Sequence, residues 1–193
     1  MEPRGPDLPR WWTGLLLVAS PALREGSFAR SVVLLLDHDG DGALGVVLNR
    51  PSELAVNAVL AGWVDVVSTP PLLFTGGPVS TGSALGVARL RPGTPAAPLG
   101  WRRVFDDTGL LDLDTPAEVL VGALEAFRIF AGHSGWAPGQ LEAEVEEGSW
   151  YVLPAAPGDL VTRDPQRLWA EVFRRQGGRL ALLSTLPADP TEN

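Results

Sequence analysis

Short apolar runs, punctuated by Gly, Pro, Asn and Asp, recur along most of the chain. This pattern predicts many short strands and few helices. Residues 15–19 are a continuous apolar stretch of strand length, residues 31–36 are β-branched and leucine-rich, and residues 43–48 return after Asp41-Gly42, a hairpin turn signal. Asn49-Arg50-Pro51 stops the third strand. Ser52 then caps a predicted helix in which Leu54, Ala55, Val59 and Leu60 share one face. Further strands are predicted over 72–75, 84–90 and 101–105, with Gly76-Gly77-Pro78 turning the chain between the first two and a Pro/Gly-rich loop over 91–100. Thr115-Pro116-Ala117-Glu118 carries a helix-start signature, and Leu120, Leu124, Phe127 and Ala131 follow at helical spacing until Gly132. A short acidic helix over 140–147 and a strand over 149–153 come next. Asp164-Pro165 opens a last helix with Leu168, Trp169, Val172 and Phe173 inward, ended by Gly177-Gly178. Residues 180–183 read as a final strand. Strands outnumber helices and several are neighbouring hairpins, so the expected class is α+β. One domain is expected over 14–186, with a loose arm over 1–13 and a frayed tail over 187–193.

Composition narrows the chemistry. The 193 residues include no Cys, which excludes disulfides, thiolate catalysis and Cys-ligated zinc. All 15 basic residues are Arg, so chemistry that needs a lysine is excluded as well. The formal charge of −8 argues against non-specific binding to nucleic acid. No apolar stretch reaches the ~18–20 residues a bilayer span needs. The segment 14–19 reads as a first core strand rather than a signal peptide, because Trp11 and Trp12 precede it and Glu2 and Asp7 dilute the basic end. A cytoplasmic location is expected.

Four motif matches fail on their context. Asp37 to Gly42 begins like a calcium loop, but Leu48 stands where the bidentate acid belongs. Gly40-Asp41-Gly42-Ala43-Leu44-Gly45 fits a dinucleotide pattern but leads into a strand instead of a helix. Gly77 to Ser83 is a phosphate loop without its lysine, which leaves a shaped turn or a small anion nest. Gly132-His133-Ser134-Gly135 is close to a nucleophile elbow, with Trp136 in place of the second glycine and a predicted helix before it. Asp106, Asp107, Asp112 and Asp114 read as a solvated loop, and Glu142, Glu144, Glu146 and Glu147 as an exposed face. The seven Trp read mainly as core or turn covers. Nothing in the pattern fixes a metal or an organic cofactor.

Five segments in order carry a family resemblance: Phe28-Ala29-Arg30-Ser31-Val32-Val33, Gly45 to Pro51, Gly76-Gly77-Pro78-Val79, Gly135 to Glu142, and Gly148-Ser149-Trp150. Together they resemble the YqgE/AlgH family, also called UPF0301, over residues 14–186. The resemblance implies an α+β fold with a bifurcated, mostly antiparallel sheet curled into a pseudo-barrel and flanked by helices. It transfers no catalytic assignment. The family label of transcriptional regulator comes with no recognised DNA-binding motif, and the usual family turn before Gly-Trp carries an aromatic where this chain has His133.

The leading expectation is a non-catalytic binding protein for a protein partner or small ligand. Its surface would be Gly76, Gly77 and Pro78 converging with His133, Gly135, Trp136, Pro138, Gly139 and Gln140, two glycine segments that should meet in space. Arg30 and Arg50, with Asn49 beside them, are candidate anion contacts. A regulator would instead need an exposed cluster of Arg167, Arg174, Arg175 and Arg179. A hydrolase would need Ser134, or an Asp pair, within reach of His38 or His133.

Overall fold

The computed structural model describes residues 9–23, 26–94 and 96–186. The first three strands, β1 (Leu15–Ala19), β2 (Val32–Asp39) and β3 (Gly42–Val47), form the expected meander, and β2 and β3 close around Gly40-Asp41. A short β4 (Pro51–Ala55) and one turn of helix α1 (Val56–Val59) lead to β5 (Leu72–Thr75). A long β6 (Val79–Leu90) is followed by the hairpin of β7 (Trp101–Phe105) and β8 (Thr108–Leu111). β9 (Leu124–Trp136) then runs into α2 (Gln140–Glu146), β10 (Trp150–Pro154), α3 (Pro165–Gln176) and α4 (Gly178–Leu183).

The sheet order is β10-β1-β2-β3-β9-β6-β8-β7, with β4 and β5 attached at the side of β9. β9 is the branch point. One edge pairs with β6 from Leu124 to His133, while the other takes β5 in parallel at Phe130 and Ala131 and then β3 at Ser134 to Trp136. That single parallel pairing aside, the ladders are antiparallel.

Three clusters fill the layers. The inner face of the curled sheet (Leu16, Leu34, Val46, Phe74 and Phe130 among others) closes over the apolar side of α3, with Trp169 and Phe173 at its centre. The opposite face of β1–β3 is covered by Trp12, Trp136, Trp150 and Leu141 of α2. The opposite face of β6, β8 and β9 is covered by Val56, Trp63 and Leu120.

Several expectations are corrected here. Residues 52–55 are strand, because Pro51 and Ala55 pair with β5, and helix follows only over Val56–Val59. The expected helix from Thr115 to Ala131 is a 3-10 turn, Ala117–Leu120, followed by β9. Leu124, Phe127 and Ala131 show helical spacing because β9 is buried on both faces, so its apolar residues have no need to alternate. Residues 180–183 are helical, belonging to α4. Trp12, assigned to the loose arm, is buried, and its backbone N–H donates to His38 Nδ1 at 3.0 Å. Residues 1–8 and the expected tail lie outside the described residues.

Candidate functional site

Gly76 and Gly77 cross β9 backbone on backbone at Ala131 to Ser134, upstream of the Gly135 to Gln140 segment. The Gly76 N–H donates to the Ala131 carbonyl and the Val47 N–H donates to the Gly76 carbonyl, each at 2.9 Å or less. A Cβ at Gly76 would lie 2.3 Å from the Gly132 oxygen, and one at Gly77 would lie 2.3 Å from His133. Real Cβ atoms do not approach so closely, so this crossing of β5, β6 and β9 requires glycine. Pro78, Val79 and Gly135 remain exposed beside the crossing, with Val79 Cγ2 at 4.0 Å from where a Gly135 side chain would begin. Between the pairs Val79–His133 and Ala84–Ala131 the register shifts, so Ser80 to Ser83 bulge outward, with Ser80 at φ +51°. Asp37, Leu44 and Gly135 lie in one cross-strand row, and Asp37, Asp39 and Asp41 border an open depression of about 350 Å³ that also touches Trp136.

The rest of the Gly135 to Glu142 segment is structural. Trp136 ends β9 with its indole buried. Its Nε1–H and that of Trp150 both donate to Glu144 Oε2, at 3.0 and 2.8 Å, while Gln140 Nε2 donates to Glu144 Oε1 at 2.9 Å. One carboxylate thus clamps β9, α2 and β10. Phe28 stacks on Trp136, with centroids 6.0 Å apart. Gly139 sits at φ +74° just before α2, and Pro138 is exposed in the same turn. Glu142 meets the buried His38 at 3.1 Å; with Nδ1 accepting from Trp12, the His38 Nε2–H is the donor. Glu142 and Glu144 therefore have internal partners, although the Glu142 side chain keeps 40% of its exposure, and Glu146 and Glu147 are exposed.

A family model described as DUF179, AlgH-like, matches residues 16–181. The chain belongs to the AlgH-like family. It is 55% identical over 183 residues to a UPF0301 protein of Streptomyces avermitilis, covering 94% of this chain and 95% of that one. It is 45% identical over 189 residues to a UPF0301 protein of Mycobacterium tuberculosis, covering 97% and 94%. Among solved structures it is similar to protein DIP2367 of Corynebacterium diphtheriae, with a TM-score of 0.86 at 36% identity over 96% of this chain and 95% of that one. It is also similar to the AlgH protein of Pseudomonas aeruginosa, with a TM-score of 0.70 at 26% identity over 95% and 98%. The curled, branched α+β sheet is the fold of this AlgH-like chain.

Most residues carrying the family resemblance act within this AlgH-like fold. Asn49 Oδ1 accepts the Val32 N–H at 2.9 Å and its Nδ2 donates to the Arg30 carbonyl at 2.9 Å, which fixes the entry to β2. Arg50 donates through Nη2 to the Ala29 carbonyl, and its buried Nε has no partner. The Arg30 guanidinium lies 4.0 Å from the Trp169 ring centroid and donates to the Leu186 carbonyl; burial lowers its pKa.

Ser134 lies in β9, not after a helix. It is fully buried, and its hydroxyl donates to the Gly76 carbonyl at 3.1 Å. Sequence reasoning missed Arg128, which is fully buried in β9. It donates to the Thr69 and Thr162 carbonyls with its guanidinium 4.0 Å from the Phe74 ring centroid, and its Nε is unpartnered. Burial pushes its pKa down to about 10. Its place within the apolar run 126–130 was the available signal, since an arginine there must reach backbone oxygen across the core.

Proposed function

We propose that the chain is a non-catalytic binding protein whose partner is another protein, engaged at the exposed surface beside the glycine crossing. The carrying observation is the surface itself: Pro78, Val79, the outward Ser80 to Ser83 bulge and Gly135 stand exposed on a backbone that admits no side chain beneath them. Small-molecule sites are enclosed, and this face is open, which favours a macromolecular partner. The neighbouring Asp37, Asp39 and Asp41 favour one that presents basic side chains. Gly76, Gly77 and Trp136 shape the surface from below; Pro138 and Gly139 extend it toward α2.

The hydrolase reading is weakened by commitments already made. The Ser134 hydroxyl is bound to a carbonyl, and both His38 nitrogens face Trp12 and Glu142. The regulator reading needs a basic face. Of its Arg set, Arg175 is held by Asp159 at 2.6 Å and Arg167 lies 3.9 Å from Asp164, while Arg174 and Arg179 have no ion pair among the described residues. A cytoplasmic setting belongs to this proposal as well; among the described residues no helix is long and apolar enough to cross a membrane.

The suitable test is affinity capture from a Streptomyces lysate with wild type and with a Val79→Arg, Gly135→Arg variant shown to melt at a similar temperature. A partner retained by wild type and lost by the variant supports the surface. Equal recovery by both sinks it.

A further inference from the structure

We propose that the mouth of the barrel binds a small apolar α-amino acid, whose carboxylate meets Thr108 and Arg89 and whose ammonium group meets Asp106 and Asp107. The site lies apart from the glycine crossing and does not depend on the binding surface described there.

A cavity of about 220 Å³ opens between the β7–β8 turn, the residue before β1 and the segment following β10. It is smaller than the ~300–1,000 Å³ of sites for drug-sized ligands, so its occupant must be of metabolite size. Its floor is apolar: Leu34 and Leu48 belong to the buried barrel core, and Leu160 closes the far side. Phe105 roofs it by lying over Gly14, where an added Cβ would sit 3.0 Å from the ring.

Polar groups at the cavity are incompletely used. Thr108 lines the cavity, and its hydroxyl has no hydrogen-bond partner among the described residues, which leaves it open to the cavity. Arg89 donates through Nε to Glu125 at 3.0 Å and through Nη1 to the Pro157 carbonyl at 2.6 Å, which leaves the Nη2 donors uncommitted. These groups suit a carboxylate. At the mouth, however, the exposed acids Asp106 and Asp107 disfavour a simple anion, although Asp107 lies 3.6 Å from Arg103, and Arg89, 3.0 Å from Glu125, keeps Nη2 donors that a simple cation cannot use. Asp159 is already neutralised by Arg175. A ligand carrying a carboxylate and an ammonium group on one carbon, with an apolar side chain for the floor, complements both kinds of group.

The test is calorimetric titration of the full chain with L-leucine, 4-methylpentanoate and 3-methylbutylamine, with amide chemical shifts followed in parallel. Leucine should bind and shift the amides of Gly14 and Thr108, and each single-charge analogue should bind at least about tenfold more weakly, the loss of one charge-assisted hydrogen bond. Thr108→Val and the double variant Asp106→Asn, Asp107→Asn should each weaken leucine about tenfold. The double variant is on the surface, and Asn suits the φ of +42° at position 106, so it tests the site even where Thr108→Val unfolds the chain. Failure of leucine to bind at about 10 mM, an analogue matching leucine, or affinity unchanged in the double variant would each overturn the proposal.

Discussion

At the scale of residues, two charged side chains have opposite relations to stability. Glu144 is fully used: two indole N–H groups and one amide converge on its carboxylate. Glu144→Ala leaves the two tryptophan donors without an acceptor and is expected to cost about 3 kcal/mol, with Glu144→Gln roughly half as damaging. Urea unfolding followed by tryptophan fluorescence checks both. Arg128 is a buried cation served by carbonyl oxygens and a phenyl ring. Its folded pKa of about 10 lies below the ordinary arginine value, so the folded chain holds this proton more weakly than the unfolded one. The resulting penalty is fully present below about pH 10 and is relieved as pH rises above it. Arg128→Met removes the charge at similar volume and is expected to lie within about 1 kcal/mol of wild type, whereas Arg128→Ala adds a cavity and falls about 3 kcal/mol below it. Between about pH 9 and pH 11, urea midpoints of wild type should gain relative to Arg128→Met. A constant gap across that range contradicts the assignment.

At the scale of elements, β9 governs the fold, because β3, β5 and β6 all take their register from it. The glycine crossing is where these strands pass closest. Gly77→Ala, forced against His133 and Ser134, is expected to destabilise by about 3 kcal/mol. Gly139→Ala, in open space but at φ +74°, should cost about 1 kcal/mol. Thermal melts of the two variants separate a packing requirement from a conformational one, and equal losses would contradict it. The same comparison explains what could be read from sequence. β1, β2, β3, β5, β7, β10 and α3 follow their apolar runs and turn signals, since each has one decisive local cue, such as Asp164-Pro165 before α3. β9 does not: Thr115-Pro116-Ala117-Glu118 spends its helix-start signal on a single 3-10 turn, and a strand buried on both faces lacks alternation. Residues 52–55 and 180–183 went astray because pairing with β5 and packing beside α3, both non-local, set their state. At the candidate site, a close backbone approach at Gly76-Gly77 was legible because unusual glycine density signals it, but its partner is Gly132 to Ser134 of β9 rather than the Gly135 to Gln140 turn. The roles of Asn49, Arg50, Gln140 and Glu144 as internal clamps were not, since each depends on a partner distant in the fold.

At the scale of the whole molecule, an AlgH-like chain of net charge −8 presents one open face that combines an exposed apolar residue, Val79, with a neighbouring acidic depression. An electrostatic contribution of that kind is screened by salt. Partner capture should therefore weaken between about 50 and 500 mM salt, while direct DNA binding, titrated over the same range, should show no steep slope. A slope of several units against log salt would instead favour the regulator reading. The central claim, that the surface beside the glycine crossing is the functional one, is tested most directly by site-specific photocrosslinking. A benzophenone side chain is placed at Val79 and, in a control protein, at Leu182 of α4, which is also exposed. Irradiation in a cell lysate should give one discrete adduct from position 79, absent from position 182 and suppressed by excess unlabelled wild type but not by Val79→Arg. No adduct at position 79, or the same adducts from both positions, would contradict the account.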